Sequence, residues 1–200
     1  MGEQSKAVKE GSTVMEPEAR GYGNGSLSIG YQALAGVNVY TGAANDPSPY
    51  KDTPATINNY AQGGDAAIGL RAVATGGNAT ALGRSARAAA ANAIAIGGGN
   101  GSDANNNTEK TEATGEKSTA IGYNAKAGAE KSTAIGAGAT AVGESAFAGS
   151  GATASGSYSL AIGNATARGG QSLSIGRESE ATDDDTIAAG DRSKAQAGWG

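Results

Sequence analysis

Few side chains in this 200-residue chain carry groups able to catalyse a reaction or bind a metal ion. The chain has no Cys and no His, so thiolate and imidazole nucleophiles, general bases and transition-metal ligands are missing. Asp183, Asp184 and Asp185 offer the oxygen ligands that hard cations prefer, but they are consecutive rather than spaced along a loop, so we expect a solvated turn. The glycines of residues 97–101 lack the following Gly-Lys-Ser/Thr of a phosphate loop. We predict no catalytic residue, no cofactor and no metal, and therefore no enzyme.

Tyr40, Tyr50 and Tyr60 are the first candidates for contact with a partner molecule. They lie together with three prolines in the stretch from residue 36 to residue 64. Exposed tyrosines on loops are favoured contact residues at binding interfaces. The same rings would equally well cover the part of the fold that this stretch interrupts, so both roles remain open.

The composition limits what kind of fold can position such residues. The chain has 34 Gly and 43 Ala, whereas Leu, Ile, Val and Phe together number 23. A conventional two-layer domain needs about twice that share of large apolar side chains to fill its core. The net charge of −4 and a pI near 4.9 argue against a nucleic-acid partner. No run approaches 18 apolar residues, so we expect no membrane contact by this segment.

Internal repeats account for the composition. The clearest copy reads Ser-Thr-Ala-Ile-Gly at residues 118–122, followed by Ala125 and Ala127, and the next copy begins 14 residues later at Ser132. Aligning every copy on its Ile-Gly position gives steps of 14 residues, with two steps of 13 residues near the C-terminal end. Ten copies in one alignment, with an eleventh suggested at Met15, identify a repeat protein. The anchor residues are Ile29, Ile68, Leu82, Ile96, Ile121, Ile135, Gly149, Ile162, Ile175 and Ala189.

Each repeat contains two short alternating runs separated by Gly or polar turns. In the first run, Thr119 and Ile121 share one face and Ala120 the other; in the second run, Lys126 points away from its alanine neighbours. Glycine recurs in every segment and disfavours helix. The pattern predicts an all-β solenoid of coils about 14 residues long, with two strands per coil. Because each first strand is apolar on both faces, we expect one face inside the coil and the other against another subunit, in an obligate homo-oligomer.

These repeats resemble the head repeats of trimeric autotransporter adhesins, the YadA-like heads. The resemblance rests on residues 118–127 and their copies, and it covers most of residues 26–198. It implies a left-handed parallel β-roll assembled as a homotrimer on the surface of Gram-negative bacteria. It also implies a role in virulence through attachment to host extracellular matrix, of the collagen, fibronectin or laminin type, or to a host-cell receptor. Anchoring to the outer membrane would then come from parts outside this chain.

In that family, Asn-Ser-x-Ala-Ile-Gly repeats are implicated in binding collagen. The matching positions here are preceded by a residue other than Asn, namely lysine in the two clearest copies. The same Ile-Gly positions are also expected to form core and turn. By this resemblance the candidate ligand-binding residues, besides the tyrosines, are Ser118, Ile121, Gly122, Ser132, Ile135 and Gly136.

We divide the chain at residue 26. Residues 1–25 are expected to hold an added start and an N-terminal cap or first coil, and residues 26–200 a single head with insertions near 36–64 and 98–116. Without a neck motif, heptad stalk or anchor strands, the sequence is interpreted as a head fragment of an adhesin. The alternative is a structural spacer that projects a more distal binding domain. A hexapeptide acyltransferase is disfavoured by the 14-residue period and the lack of His, and an ice-binding solenoid by the lack of a regular Thr array.

Overall fold

The fold follows directly from the alternation of small and large residues in each repeat. A computed structural model describes residues 4–8, 10–36, 63–99 and 109–197. Within these ranges the chain forms two parallel sheets, one of 11 three-residue strands and one of 12 two-residue strands, and no helix. Consecutive strands alternate between the sheets, so each coil contributes one strand to each. This confirms the predicted β-solenoid with two strands per coil.

The strands are numbered in chain order. The sheet of three-residue strands, called here the long strands, comprises β2 (Thr13–Met15), β4 (Leu27–Ile29), β6 (Ala66–Ile68), β8 (Thr80–Leu82), β10 (Ile94–Ile96), β12 (Thr119–Ile121), β14 (Thr133–Ile135), β16 (Phe147–Gly149), β18 (Leu160–Ile162), β20 (Leu173–Ile175) and β22 (Ile187–Ala189). The sheet of two-residue strands, the short strands, comprises β1 (Lys6–Ala7), β3 (Arg20–Gly21), β5 (Leu34–Ala35), β7 (Val73–Ala74), β9 (Arg87–Ala88), β11 (Glu112–Ala113), β13 (Lys126–Ala127), β15 (Thr140–Ala141), β17 (Thr153–Ala154), β19 (Thr166–Ala167), β21 (Glu180–Ala181) and β23 (Lys194–Ala195).

The anchors of the repeat stack on one another in the long-strand sheet. Ile121 pairs with Ile135, and Ile135 pairs with Gly149, although Gly149 has no side chain at that position. Met15 pairs with Ile29 in the same way, so the copy suggested at Met15 is the first of the eleven. Register is therefore kept through the degenerate copies.

Alanine fills the inside of the solenoid. Ala120 and Ala134 on the long strands are completely buried, as are Ala127 and Ala141 on the short strands that face them. Across the described residues the largest side chains that are fully buried are Thr111 and Asp65, followed by serines. The two sheets therefore lie too close together for isoleucine, and Ile121 and its equivalents point outward. The sequence left open which apolar face lies inside, and the structure places the alanine face there.

Both turns of each coil require a left-handed backbone, and most of the residues that adopt it are not glycine. The first turn follows a long strand and contains Asn124 with φ of 54°; the second follows a short strand and contains Lys131 with φ of 57° and, further on, Tyr158 with φ of 59°. Glycine is indispensable directly after the anchor. A Cβ on Gly122, where φ is 127°, would lie 2.7 Å from the carbonyl carbon of Gly136 in the next coil.

A serine hydroxyl closes the second turn in many coils. Ser132 Oγ donates to the carbonyl oxygen of Ala129 three residues earlier, and Ser159 and Ser172 repeat the 2.7 Å bond in their own coils. A side chain at this position therefore satisfies a turn carbonyl that would otherwise be buried without a partner.

Asp65 occupies the same position where the first insertion ends. Its Oδ1 accepts hydrogen bonds of 2.9 Å from the backbone amides of Gly77 and Ala79 in the next coil. Burial raises the pKa of this carboxyl from 3.8 to about 6, against the opposing effect of the two amide donors.

The two insertions interrupt different turns without breaking either sheet. β4 pairs directly with β6, and β5 with β7, so the chain leaves the solenoid after Gly36 and rejoins it at Gly63 within one second turn. The second insertion falls in the first turn between Gly99 and Glu109, and β11 after it pairs in register with β9 and β13. Tyr40, Tyr50 and Tyr60 lie outside the described residues. No helix in the described part of the chain is long and apolar enough to cross a membrane.

Candidate functional site

The outward-pointing residues of the long strands form a continuous apolar surface, called here the isoleucine face. Two residues of every long strand point outward, because only the middle residue faces the alanine interior. Ile135 remains 41% exposed and Ile187 67% exposed, although side chains this apolar are usually buried. The outward residues of β4 to β22 in order are Leu27, Ile29, Ala66, Ile68, Thr80, Leu82, Ile94, Ile96, Thr119, Ile121, Thr133, Ile135, Phe147, Gly149, Leu160, Ile162, Leu173, Ile175, Ile187 and Ala189. A stripe of this length marks an interaction surface.

Phe147 compensates for the missing anchor side chain in β16. A Cβ on Gly149 would lie 3.2 Å from Cε1 of the Phe147 ring and 3.8 Å from Cγ1 of Ile162. The ring therefore covers the position that isoleucine occupies in neighbouring coils, as the sequence suggested. The isoleucine face stays closed at this coil despite the glycine.

The opposite outer surface, formed by the short strands, is polar. Arg168 Nη1 lies 3.2 Å and Lys194 Nζ 3.3 Å from the carboxylate of Glu180, so one acid joins three successive coils. Hydrogen bonds from Arg168 and Lys194 lower the pKa of Glu180. Such exposed pairs add little stability, and their main effect here is to hold the side chains in place along the surface.

The edge formed by the first turns carries hydrogen bonds between coils. The Tyr31 hydroxyl donates to Glu18 at 3.1 Å, Gln32 Nε2 donates to the same carboxylate at 2.8 Å, and Arg71 Nε donates to Gln32 at 3.1 Å. The Tyr123 hydroxyl donates to a carboxylate oxygen of Glu109 one coil earlier. Hydrogen bonding to these carboxylates raises the pKa of both tyrosines. Polar side chains at this edge thus bond to one another across coils.

The structure places the residues nominated from the repeat in neighbouring columns of two adjacent coils. Ser118 and Ser132 are completely buried in the second turns, and so their side chains face the solenoid rather than solvent. Ile121 and Ile135 lie on the isoleucine face, and Gly122 and Gly136 stack on each other immediately beside it. Of this set, only the two isoleucines offer outward side chains.

The aspartate run is engaged by backbone amides. Asp184 Oδ1 accepts a 2.7 Å hydrogen bond from Gly170, and Asp183 Oδ2 accepts one of the same length from Ala197. The two carboxylates therefore reach in opposite directions along the coils. The described ranges contain no group of three or more acidic side chains placed to hold a metal ion.

A polar groove of about 560 Å³ lies near the C-terminal end, between the first-turn edge and the short strands. It was not anticipated from the sequence, although the two 13-residue steps of the repeat fall within the coils that form it. The lining residues are Gly151, Thr153, Asn164, Ala165, Thr166, Glu178, Ser179, Glu180, Arg192 and Lys194.

Comparison with known families agrees with this geometry. The model of the YadA head domain repeat matches residues 65–86, 74–100, 113–139, 148–166 and 167–193, which together make up more than half of the chain. A comparison with curated proteins gave no match. The matched segments are the coils themselves, including both degenerate copies. The chain therefore belongs to the YadA-like head domains of trimeric autotransporter adhesins.

Proposed function

We propose that this chain is the head of a bacterial surface adhesin that attaches to host extracellular matrix or host cells as a homotrimer. The observation that carries the proposal is the match of YadA head repeats over most of the coils. The adhesin would be held at the outer membrane by parts outside this chain. Its partner would be a matrix protein of the collagen, fibronectin or laminin type, or a host-cell receptor.

The isoleucine face supports the trimeric part of the proposal. It presents outward apolar residues in successive coils, with Ile121 and Ile135 in register on neighbouring strands. Burial of such residues is worth roughly 25 cal/mol for each Å² of apolar surface removed from water. Three identical chains of the left-handed roll known in this family would cover this face around a common axis. The thin alanine interior would then be supplemented by a second apolar core between chains.

This arrangement directs ligand contact to the other surfaces. Ile121 and Ile135 would be covered by partner chains, and Ser118 and Ser132 are already buried. The short-strand surface, the first-turn edge and the segment 37–62, with Tyr40, Tyr50 and Tyr60, would remain exposed in the trimer. Because each of these surfaces would occur three times on one head, weak contacts would be strengthened by avidity.

The proposal can be tested with beads coated with the purified chain. We expect the beads to attach to immobilised collagen, fibronectin or laminin, or to an epithelial cell layer. A variant with Ile135→Asp, which should prevent assembly, is expected to bind at least 100-fold more weakly because avidity is lost. A variant lacking residues 37–62 measures what the tyrosine segment contributes. If the assembled, folded head attaches to none of these surfaces, the proposal is wrong, and a role as spacer takes its place.

A further inference from the structure

The groove arises from a shortening of the first turn in two consecutive coils. Four residues, 136–139, connect β14 to β15, and four, 176–179, connect β20 to β21. Only three connect β16 to β17 and three connect β18 to β19, namely residues 150–152 and 163–165. Strand register is unaffected, since Thr140, Thr153 and Thr166 still pair in one row. The missing residue is therefore taken from the outer edge of the turn.

The residue that is missing is the one that projects furthest. In full-length turns its place is taken by residues such as Tyr123, which is 42% exposed, and Arg177. Where it is absent, the edge recedes and only Gly151 and Asn164 remain beside the threonine row. The result is a trough along the rod axis that spans four coils, or on the order of 15 Å at about 4.8 Å between strands.

The charges around the trough cancel. Arg192 Nε lies 3.0 Å from Glu178 Oε2, and Lys194 Nζ lies 3.3 Å from Glu180 Oε2. An anionic ligand would meet two carboxylates and a cationic ligand two cations, so neither is favoured. The largest apolar side chain in the lining is Ala165, which leaves no surface for an apolar ligand.

We propose that this groove binds a short neutral saccharide. The inference rests on the proposed function and deepens it, because the saccharide would be the recognised part of a host-surface glycoprotein. Sugar hydroxyls donate and accept hydrogen bonds at once, as do the Thr153 and Thr166 hydroxyls and the Asn164 amide. Each ion-paired carboxylate also keeps free lone pairs, and Arg192 keeps free N–H donors, for further hydroxyls. A volume of about 560 Å³ lies within the range of small-molecule sites.

Two substitutions change the groove without changing the coil. Thr153→Lys places a long cation in the trough, and the fold accepts lysine in this row, as Lys126 and Lys194 show. Asn164→Gly removes the amide at a residue whose φ of 60° suits glycine. The matched controls are Val73→Lys in the same row and Asn124→Gly, where φ is 54° at the equivalent turn position.

The experiment measures binding of the purified head to N-acetyllactosamine, lacto-N-tetraose and maltotriose by saturation-transfer NMR and calorimetry, with sialyllactose and heparin oligosaccharide as acidic probes. We expect at least one neutral saccharide to bind, and Thr153→Lys and Asn164→Gly each to weaken it at least tenfold. Val73→Lys and Asn124→Gly should change the affinity less than twofold. Binding of acidic probes alone, binding of no probe, or equal losses in the control variants would overturn the inference.

Attachment of the coated beads separates this inference from the proposed function. If a neutral saccharide binds in the groove but the beads attach to no matrix protein or cell, the groove is supported and the adhesin role is not. If the beads attach and no neutral saccharide binds, the adhesin role stands and the groove assignment is wrong. If Thr153→Lys abolishes both saccharide binding and attachment, both are supported through the same site.

Discussion

The stacked glycines that follow the anchors provide the sharpest test of the fold. Gly122 has φ of 127°, and a Cβ there would lie 2.7 Å and 2.8 Å from the carbonyl carbon and oxygen of Gly136. Gly138, at the outer edge of the next first turn, has φ of 70° and no atom within 4 Å of the same hypothetical Cβ. Gly122→Ala and Gly138→Ala therefore make the same chemical change with different steric consequences.

The expected magnitudes differ severalfold. For Gly138→Ala, left-handed strain of about 1–2 kcal/mol is partly offset by roughly 0.4–1 kcal/mol from the lower entropy of the unfolded chain. The net loss should be about 1 kcal/mol. For Gly122→Ala, a sparsely populated backbone region costs about 1–3 kcal/mol, and overpacking against backbone adds about 1–3 kcal/mol. We expect a total of about 4 kcal/mol, because the stacked carbonyl cannot move without displacing the coil beyond it.

Equilibrium unfolding in guanidinium chloride, followed by far-UV circular dichroism, measures both losses. The variants are compared at equal protein concentration, since assembly would make the midpoint concentration-dependent. A loss for Gly122→Ala within about 1 kcal/mol of that for Gly138→Ala would refute the view that carbonyl stacking requires glycine after the anchor.

Three further predictions follow from described side chains. Asp65→Asn keeps an acceptor for both backbone amides but cannot ionise; since a folded pKa of about 6 lies above the ordinary 3.8, ionisation destabilises the wild type as pH rises through that interval. The variant should therefore be more stable by up to roughly 3 kcal/mol at pH 7.5 and equal to the wild type below pH 4, in urea unfolding at both pH values. Ile135→Asp should dissociate the assembly in sedimentation velocity, whereas Thr140→Asp, on the opposite surface of the same coil, should leave it intact; equal behaviour would exclude the isoleucine face as the interface. Phe147→Thr and Gly149→Ile should each destabilise the chain by about 1–2 kcal/mol, because one leaves a hole and the other overpacks the ring. The double variant restores the sequence of β14 and should lose less than either single variant in a double-mutant cycle.

The sequence predicted the strands well because the repeat exposes their pattern many times over. Ala120 and Ile121 alternate in face, and the 14-residue step places each such pair beside the next. What it could not decide was which face lies inside. Both are apolar, and the choice depends on the separation of the two sheets, which small side chains set jointly rather than one at a time.

The turns and the groove lay further from what the sequence shows. Lys131 and Tyr158 adopt left-handed backbone because the coil requires it at that position, against their own preferences. The two 13-residue steps were visible, but spacing alone does not say which turn is one residue shorter. Only the pairing of Thr140, Thr153 and Thr166 locates the shortening in the first turn and so reveals the groove. Asp65 could not be recognised as buried, since the insertion hides its equivalence to the serine position.

The direction of the hydrogen bonds between coils has a mechanical consequence. Bonds such as that from Gly136 N to Ile121 O, 2.8 Å long, join one coil to the next and so run along the rod. A pull on the two ends loads these bonds in series, and the weakest coil opens before its neighbours. A released coil of about 14 residues extends to roughly 48 Å, where it had occupied about 4.8 Å of the rod. A head under tension would lengthen in steps of about 43 Å and dissipate work while its remaining coils stay folded, which suits a tether exposed to fluid drag.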